Sequence, residues 1–246
     1  MAESRQEIWD AKSKHYRRFD GQMTEFQREF FDAVRELGVD FSGARLVDIG
    51  AGTGLYSLIL ARSCASVDAV DISPEMIAIL RASQKEYGVQ NLRAWVSNFE
   101  DFTPEGEYDI AFLTMSPALQ DERDFEKFLK IAPKRVYMNW SAQRRSSLTE
   151  RFVPAYARNF SNTIGKFEEF LRARGVEYGT HDFSEHRQSL RDIDDAFDDI
   201  AWHMGINGVS YEPANLRAQI EREIAEHGTG GKIIDQIHTQ MRVLVF

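Results

Sequence analysis

A short apolar stretch that breaks into three glycines constrains this chain more than any other feature. It reads Leu46-Val47-Asp48-Ile49-Gly50-Ala51-Gly52-Thr53-Gly54, with one acid inside the apolar run. The pattern predicts a buried strand that ends in a ligand-binding loop, because glycine leaves room for a ligand beside the backbone and accepts positive φ. Apolar residues at helical spacing follow, so the loop should open a helix whose free N–H groups face the ligand. These residues are Leu55, Leu58, Ile59 and Leu60.

The spacing of the glycines separates two kinds of nucleotide site. A dinucleotide fingerprint is G-x-G-x-x-G, and its third glycine would fall at Leu55. The chain has G-x-G-x-G instead, with Asp48 two residues upstream. A second strand-like run ends in Asp71, about twenty residues after the loop, as nucleotide-binding sheets require. An NAD-linked oxidoreductase is therefore the less favoured alternative.

The sequence V-D-I-G-A-G-T-G, together with Asp71, resembles the first motif of the class I S-adenosylmethionine-dependent methyltransferases. The resemblance implies an α/β, Rossmann-like fold: a seven-stranded, mostly parallel sheet with helices on both faces, an antiparallel last strand, an N-terminal helical segment and helical insertions. It implies S-adenosylmethionine as cofactor and S-adenosylhomocysteine as product, with Asp71 accepting both ribose hydroxyls. It covers residues 45–140 well and the rest by the order of elements. The alternative is a glycine turn in an unrelated α/β protein.

The resemblance also implies which residues hold the cofactor. Asn98 stands where many of these enzymes carry an acid for the adenine amino group, and its amide oxygen can accept the same hydrogen bond. Phe99 would pack against the ring, unless the two residues form a plain loop with one buried aromatic. Trp9 and Tyr16 lie in a leading segment that would cross the cofactor or simply anchor the first helix. The full predicted set is Asp48, Gly50, Ala51, Gly52, Gly54, Asp71, Ile72, Met76, Asn98, Phe99, Met115 and Tyr16.

Length and composition limit the class of protein. The 246 residues predict a single domain over 1–246, with a helical cap (1–40), a cofactor half (41–140) and a substrate-side half (141–246). A formal net charge of −9 disfavours a nucleic-acid partner, since phosphate contacts need clustered Lys and Arg. The single cysteine, Cys64, provides neither a disulfide framework nor a cysteine-ligated metal site. The oligomeric state stays open.

Two further features bear on location and metals. No apolar run is as long as a membrane span and no signal-peptide core is present, so we expect a cytoplasmic protein without a membrane partner. Aspartates crowd a predicted helix near residues 189–203 but lack calcium-loop spacing, so they are interpreted as a solvated face rather than a metal site. No metal is predicted.

The sequence indicates the residues that would hold the methyl acceptor less clearly than those that would hold the cofactor. Ser116-Pro117 follows the predicted fourth strand but lacks the second proline and the aromatic of nucleobase amino-methyltransferases, so a nucleobase acceptor is not expected. His181, at the end of the predicted sixth strand (176–183), is a candidate base or a structural histidine. Arg144 and Arg145 suggest an anionic acceptor with Trp140 as an apolar wall, because guanidinium groups pair with carboxylates and phosphates. Their alternative is a pair of surface residues at a helix start.

The sequence therefore predicts an enzyme that transfers a methyl group from S-adenosylmethionine to a small-molecule acceptor, and the two arginines suggest an anionic one. Catalysis would consist mostly of positioning and desolvation, because the methyl group is already activated. The motifs describe the cofactor site and not turnover. A noncatalytic S-adenosylmethionine-binding protein or sensor is accordingly the other hypothesis.

Overall fold

In a computed structural model, the structure describes residues 4–157 and 160–246. Helices and strands alternate through most of this range, as the sequence predicts. The helices are α1 (Arg5–Ser13), α2 (Glu25–Glu36), α3 (Ser57–Leu60), α4 (Pro74–Glu86), α5 (Glu122–Ile131), α6 (Ser147–Phe152), α7 (Thr163–Ala173), α8 (Ile193–Ile206) and α9 (Pro213–His227). The strands are β1 (Arg45–Ile49), β2 (Ser66–Asp71), β3 (Leu92–Val96), β4 (Ile110–Thr114), β5 (Lys134–Trp140), β6 (Arg145–Ser146), β7 (Gly179–Arg191) and β8 (Ile233–Val245).

The chain packs as two compact units. The first unit comprises Met1–Asn139, Thr163–His181 and Arg242–Phe246. The second comprises Trp140–Asn162 and Asp182–Met241, and the long strands β7 and β8 run from one unit into the other. That residues 1–246 act as a single domain stays a prediction.

The sheet of the first unit has the predicted class I topology. β1 pairs in parallel with β2 and β4, β2 pairs with β3, and β4 pairs with β5, which orders the strands β3-β2-β1-β4-β5. Beyond β5, Arg135 and Phe246 exchange backbone hydrogen bonds of 2.9 and 3.2 Å, the pattern of an antiparallel pair. The Rossmann-like fold and its antiparallel last strand are confirmed. Within the described residues the chain has one strand more than predicted, the two-residue β6.

Burial explains why these strands are continuous apolar runs. Every residue of β4 is buried, and all of β1 except Arg45 is buried. Parallel strands covered on both faces lose the apolar–polar alternation of half-exposed strands. The two central strands therefore form the rigid frame from which the loops at their C-terminal ends project.

The helix after the glycine loop differs from its prediction. We expected the helix to open at the loop and include Leu55, whereas α3 is a single turn that begins at Ser57. Gly54 has φ +83°, a left-handed conformation that an α-helix cannot contain, so the helix starts only after that turn is complete. Within this one-turn helix the Leu58 N–H donates to the Gly54 carbonyl at 3.0 Å.

In the second unit, β6 pairs antiparallel with β8, and β7 also pairs with β8. The predicted strand over residues 176–183 and helix over 189–203 are both displaced, because β7 extends to Arg191. Asp192 then caps α8 by accepting a hydrogen bond of 3.0 Å from the Asp195 backbone N–H. Pairing with β8 extends the strand through a stretch without apolar alternation, which sequence periodicity cannot detect.

Candidate functional site

A cavity of the first unit opens at the C-terminal ends of β1 to β4. The strand order reverses at β1, between β2 and β4, and ligands of open α/β sheets collect at such a point. The cavity is lined by residues from α1, all four strand ends and the start of α5. These are Arg5, Trp9, Tyr16, Ile49, Gly50, Gly52, Val70, Asp71, Ile72, Met76, Ser97, Asn98, Phe99, Glu100, Met115, Ser116, Pro117, Ala118 and Asp124.

Glycine is required at different positions of the loop for different structural reasons. Gly50 has φ +71°, and a Cβ there would overlap the side chain of Ser116 at the end of β4. A Cβ at Gly54 would lie 2.7 Å from Leu80 Cγ, so this glycine lets α4 pack closely against the loop. Gly50 and Gly52 line the cavity, whereas Ala51 and Gly54 do not. The first glycine shapes the cavity, and the third supports the wall behind it.

Asp71 lies at the end of β2 and holds the glycine loop in place. Its Oδ2 accepts a hydrogen bond of 2.8 Å from the Gly52 N–H, and its Oδ1 accepts one of 2.9 Å from the Ser73 N–H. Burial raises the pKa of this carboxyl, the charge of Asp10 adds to the shift, and the backbone hydrogen bonds oppose it. A carboxylate offers about four acceptor positions, and Asp71 lines the cavity, so the group can still accept from a diol.

Asp48 is placed behind the cavity rather than on it. The side chain is 2% exposed, and its Oδ2 accepts a hydrogen bond of 2.5 Å from Ser57 Oγ in α3. Burial raises the pKa of Asp48 to about 7, against the opposing effect of the Ser57 hydrogen bond, and the charge of Asp71 contributes a further increase. Asp48 thus joins β1 to α3 and positions the loop between them.

Met115 adopts an unusual backbone conformation at the end of β4. Its φ is +53°, and among the described residues outside glycine it is the one with positive φ. Its N–H donates to the Met138 carbonyl at 2.8 Å, which ties the turn to β5. Backbone strain of this kind costs about 1–3 kcal/mol and concentrates at functional sites. The family resemblance predicts Met115 as a cofactor residue, but no local sequence signal indicates this strain.

The loop after β3 forms the far end of the cavity. Asn98 lines it, but its Oδ1 accepts from the Asp101 N–H at 2.7 Å and its Nδ2 donates to Asp101 Oδ2 at 2.8 Å. Phe99 is buried beside it, with the Lys127 ammonium 5.0 Å from the ring centre. The adenine contact assigned to Asn98 stays a prediction, and it would have to share an oxygen that already accepts one hydrogen bond.

The N-terminal segment forms the wall opposite the sheet. Trp9 and Tyr16 both line the cavity, with ring centroids 6.5 Å apart in an edge-to-face arrangement. Burial raises the pKa of the Tyr16 phenol, and the charge of Asp71 adds to that shift. Asp10 Oδ1 accepts from Ser73 Oγ at the N-terminus of α4, which fastens α1 to the cofactor half. The sequence analysis missed this contact because its partners are 63 residues apart.

Four predicted acceptor-side residues do not line this cavity. His181 lies on β7, and Trp140, Arg144 and Arg145 belong to the second unit. Arg144 Nη1 is 3.4 Å from His203 Nε2, and burial lowers the pKa of its guanidinium. Arg145 is exposed and pairs with Glu150 at 2.8 Å. The roles assigned to these four residues stay predictions.

No group of three or more His, Cys, Asp or Glu side chains is placed to hold a metal ion within residues 4–157 and 160–246. Over the same ranges, no helix combines the length and the apolar character that crossing a membrane requires.

Comparisons with known proteins agree with this geometry. Residues 46–135 match the model of a methyltransferase domain family. A ubiquinone biosynthesis O-methyltransferase of Xylella fastidiosa is 48% identical over 52 residues, and one of Xanthomonas euvesicatoria is 38% identical over 73 residues. These segments span 21% and 30% of the two relatives' lengths, so the likeness is confined to one part of each protein.

Solved structures resemble the fold over nearly the whole chain. A S-adenosylmethionine-dependent methyltransferase of Thiobacillus denitrificans, in complex with S-adenosylhomocysteine, superimposes with a TM-score of 0.52 at 17% identity. The match covers 98% of this chain and 99% of that one. Family model, strand order and glycine loop agree. Residues 46–135 therefore match a methyltransferase domain, and the fold around them is similar to that of S-adenosylmethionine-dependent methyltransferases.

Proposed function

We propose that this protein is an enzyme that binds S-adenosylmethionine in the cavity at the ends of β1 to β4 and transfers its methyl group to a small-molecule acceptor. The proposal rests on one observation, that Gly50, Gly52 and Asp71 line the same cavity. The Asp71 carboxylate holds the loop and keeps lone pairs for a ribose diol. This is the donor and acceptor set that an adenosine with a sulfonium tail requires.

Each part of the cavity has a task in this proposal. Ile72, Met76 and Phe99 offer apolar contact to an adenine ring, and Tyr16 lies beside the glycine loop. The bound cofactor supplies an already activated methyl group. The chain's own contribution is to orient both reactants and exclude water, effects that can lower the barrier by several kcal/mol. The strained turn at Met115 would fix the position of the acceptor side relative to the loop.

The acceptor is proposed at the level of a small molecule. The curated relatives carry the name of O-methyltransferases of ubiquinone biosynthesis, but the matched segments are too short to transfer that acceptor. An anionic acceptor held by Arg144 and Arg145 beside Trp140, with His181 as base, stays a prediction. A cytoplasmic enzyme without nucleic-acid or membrane partners likewise stays the expectation from composition.

Calorimetry with S-adenosylhomocysteine tests cofactor binding directly. We expect binding of S-adenosylhomocysteine and S-adenosylmethionine and none of NAD, because Leu55 replaces the third glycine of a dinucleotide loop. No binding of either sulfur compound would refute the proposal.

Turnover separates the enzyme from a noncatalytic sensor. The protein is incubated with labelled S-adenosylmethionine and a small-molecule extract, and methylated products are identified. We expect a product, and we expect equal turnover in a chelator because no metal is predicted. Tight cofactor binding without any labelled product would favour the sensor.

A further inference from the structure

Under the proposed function, the cofactor leaves one part of the cavity open to the methyl acceptor. We call it the acceptor wall. It consists of the lining residues from α1, from the turn after β4 and from α5. These residues are Arg5, Trp9, Ser116, Pro117, Ala118 and Asp124.

Gln120 joins the three elements of the acceptor wall. Its Oε1 accepts from the Arg5 guanidinium, and its Nε2 donates to the Pro117 carbonyl at 3.0 Å. Its backbone N–H donates to Asp124 Oδ2 at 2.9 Å. The acceptor wall is therefore a connected structure, and the position of Asp124 is set by a hydrogen bond that uses only one of its two carboxylate oxygens.

Two carboxylates of this region keep unused acceptor oxygens, beside an Arg5 guanidinium that donates one hydrogen bond, to Gln120. Within the described residues, Asp124 Oδ1 accepts no hydrogen bond, and neither oxygen of Glu100 does. The nearby ammonium of Lys127 is directed to backbone carbonyls, those of Phe99 at 2.6 Å and of Glu100 at 2.8 Å. Free carboxylate oxygens call for a ligand that donates hydrogen bonds.

Charge favours the same class of ligand. The charged side chains that line the cavity are Asp71, Glu100 and Asp124 against Arg5, an excess of carboxylates. The nearby Lys127 ammonium offsets part of this charge, but the lining side chains favour a cationic acceptor over an anionic one. Trp9 adds an aromatic ring to the same wall, and aromatic rings attract ammonium groups.

In place of the anionic acceptor that Arg144 and Arg145 suggest, we propose that the methyl acceptor is a protonatable amine, held by the Asp124 carboxylate beside Trp9; this rests on the proposed function. The bound ammonium passes one proton to Asp124, which frees the lone pair on nitrogen. The nitrogen then forms a bond to the methyl carbon as the carbon–sulfur bond breaks. The products are a methylated ammonium and S-adenosylhomocysteine, and Asp124 returns its proton to water.

Binding of matched compounds to the full chain saturated with S-adenosylhomocysteine tests this inference by calorimetry. The compounds are 2-phenylethylamine, 2-phenylethanol and phenylacetate, which share a skeleton and differ in charge, with ethylamine, ethanol and acetate as a second series. We expect an amine to bind at least about tenfold more tightly than its alcohol or acid partner, since ionic hydrogen bonds are the stronger class. Preference for an acid or alcohol, or no binding of either amine, overturns the inference.

Two variants locate the contact. Asp124→Asn keeps an oxygen for the Gln120 N–H but loses the charge, and we expect amine affinity to fall roughly 10- to 100-fold with S-adenosylhomocysteine affinity unchanged. Glu122→Gln is the matched control, because it removes one charge from a 78%-exposed side chain on the same helix and should leave amine affinity alone. Equal amine affinity in Asp124→Asn and the parent overturns the inference. Absence of S-adenosylhomocysteine binding by the parent instead refutes the proposed function.

Discussion

The glycine loop of the first unit and the arginine segment of the second are both conspicuous in the sequence, but their side chains are used differently. Gly50, Gly52 and Asp71 line one cavity, and the Gly52 N–H donates to the Asp71 carboxylate. Arg144 and Arg145 are engaged within the second unit, with His203 and Glu150 respectively. A motif whose spacing is tied to backbone conformation predicts its own geometry, whereas a pair of charges predicts only that partners exist.

The contrast also separates two kinds of evidence for a ligand. At Gly50, positive φ and the approach of Ser116 exclude other residues whatever the ligand is. At Arg145, an exposed ion pair accounts for the charge without any ligand. The variants below test whether this difference holds, from the largest expected effect to the smallest.

Gly50→Ala should have the largest effect. The new methyl group must adopt φ near +71° and displace Ser116, so we expect a loss of about 2–5 kcal/mol in the free energy of unfolding. Gly43→Ala is the matched control, because φ is +70° there and nothing lies within 4 Å of the new Cβ. It should cost only about 1–2 kcal/mol. Denaturant unfolding measures both, and equal losses would contradict the close approach of Ser116.

Asp48→Asn should stabilise the protein at high pH. The pKa of Asp48 is about 7 in the folded chain against 3.8 ordinarily, so ionisation favours the unfolded chain as pH rises between those values. The variant has no carboxyl to ionise, so its free energy of unfolding should exceed that of the parent by up to about 4 kcal/mol at pH 8 and by little near pH 4. Unfolding at pH 5 and pH 8 checks the slope. Asp40→Asn is the control, because Ser42 hydrogen bonds lower that pKa and no gain at high pH is expected.

Asp71→Ala should lower the affinity for S-adenosylhomocysteine about 10- to 100-fold, because hydrogen bonds to a charged group are lost. Arg144→Ala should leave that affinity within error, since Arg144 does not line the cavity. Calorimetry on the two variants in parallel compares the two regions directly. An equal loss in both would contradict the assignment of the cofactor to the glycine loop and Asp71.

Arg145→Ala should have the smallest effect. Its partner is Glu150 at 2.8 Å on the surface, and an exposed pair contributes about 0.2–1 kcal/mol to the free energy of unfolding. The Michaelis constant for the methyl acceptor should not change. A higher Michaelis constant for a carboxylate or phosphate acceptor would instead support the anionic acceptor and remove the contrast between the two regions.

Much of the cofactor half was predictable because its signals are local. The glycine spacing, the acid at Asp71 and the apolar runs of β1, β2 and β4 each lie within a few residues. The observed strands confirm the apolar runs. The start of α3 was misplaced because the positive φ of Gly54 follows from its packing against Leu80 in another helix. The predicted end of β7 is wrong because the strand is extended by pairing with β8, about 50 residues later in the chain. The sequence of β7 itself has no apolar alternation that would indicate this extension.

The sequence by itself determined the fold family and the chemistry of the loop, since backbone conformation and burial impose residue types at short spacing. Only the tertiary structure decided which side chains share the cavity with that loop. Asp10 reaches Ser73 across 63 residues, and Gln120 brings Arg5 and Asp124 to one wall across 115 residues of chain. Such contacts depend on the paths of several elements at once, so no local spacing specifies them, and the acceptor wall became visible only in three dimensions.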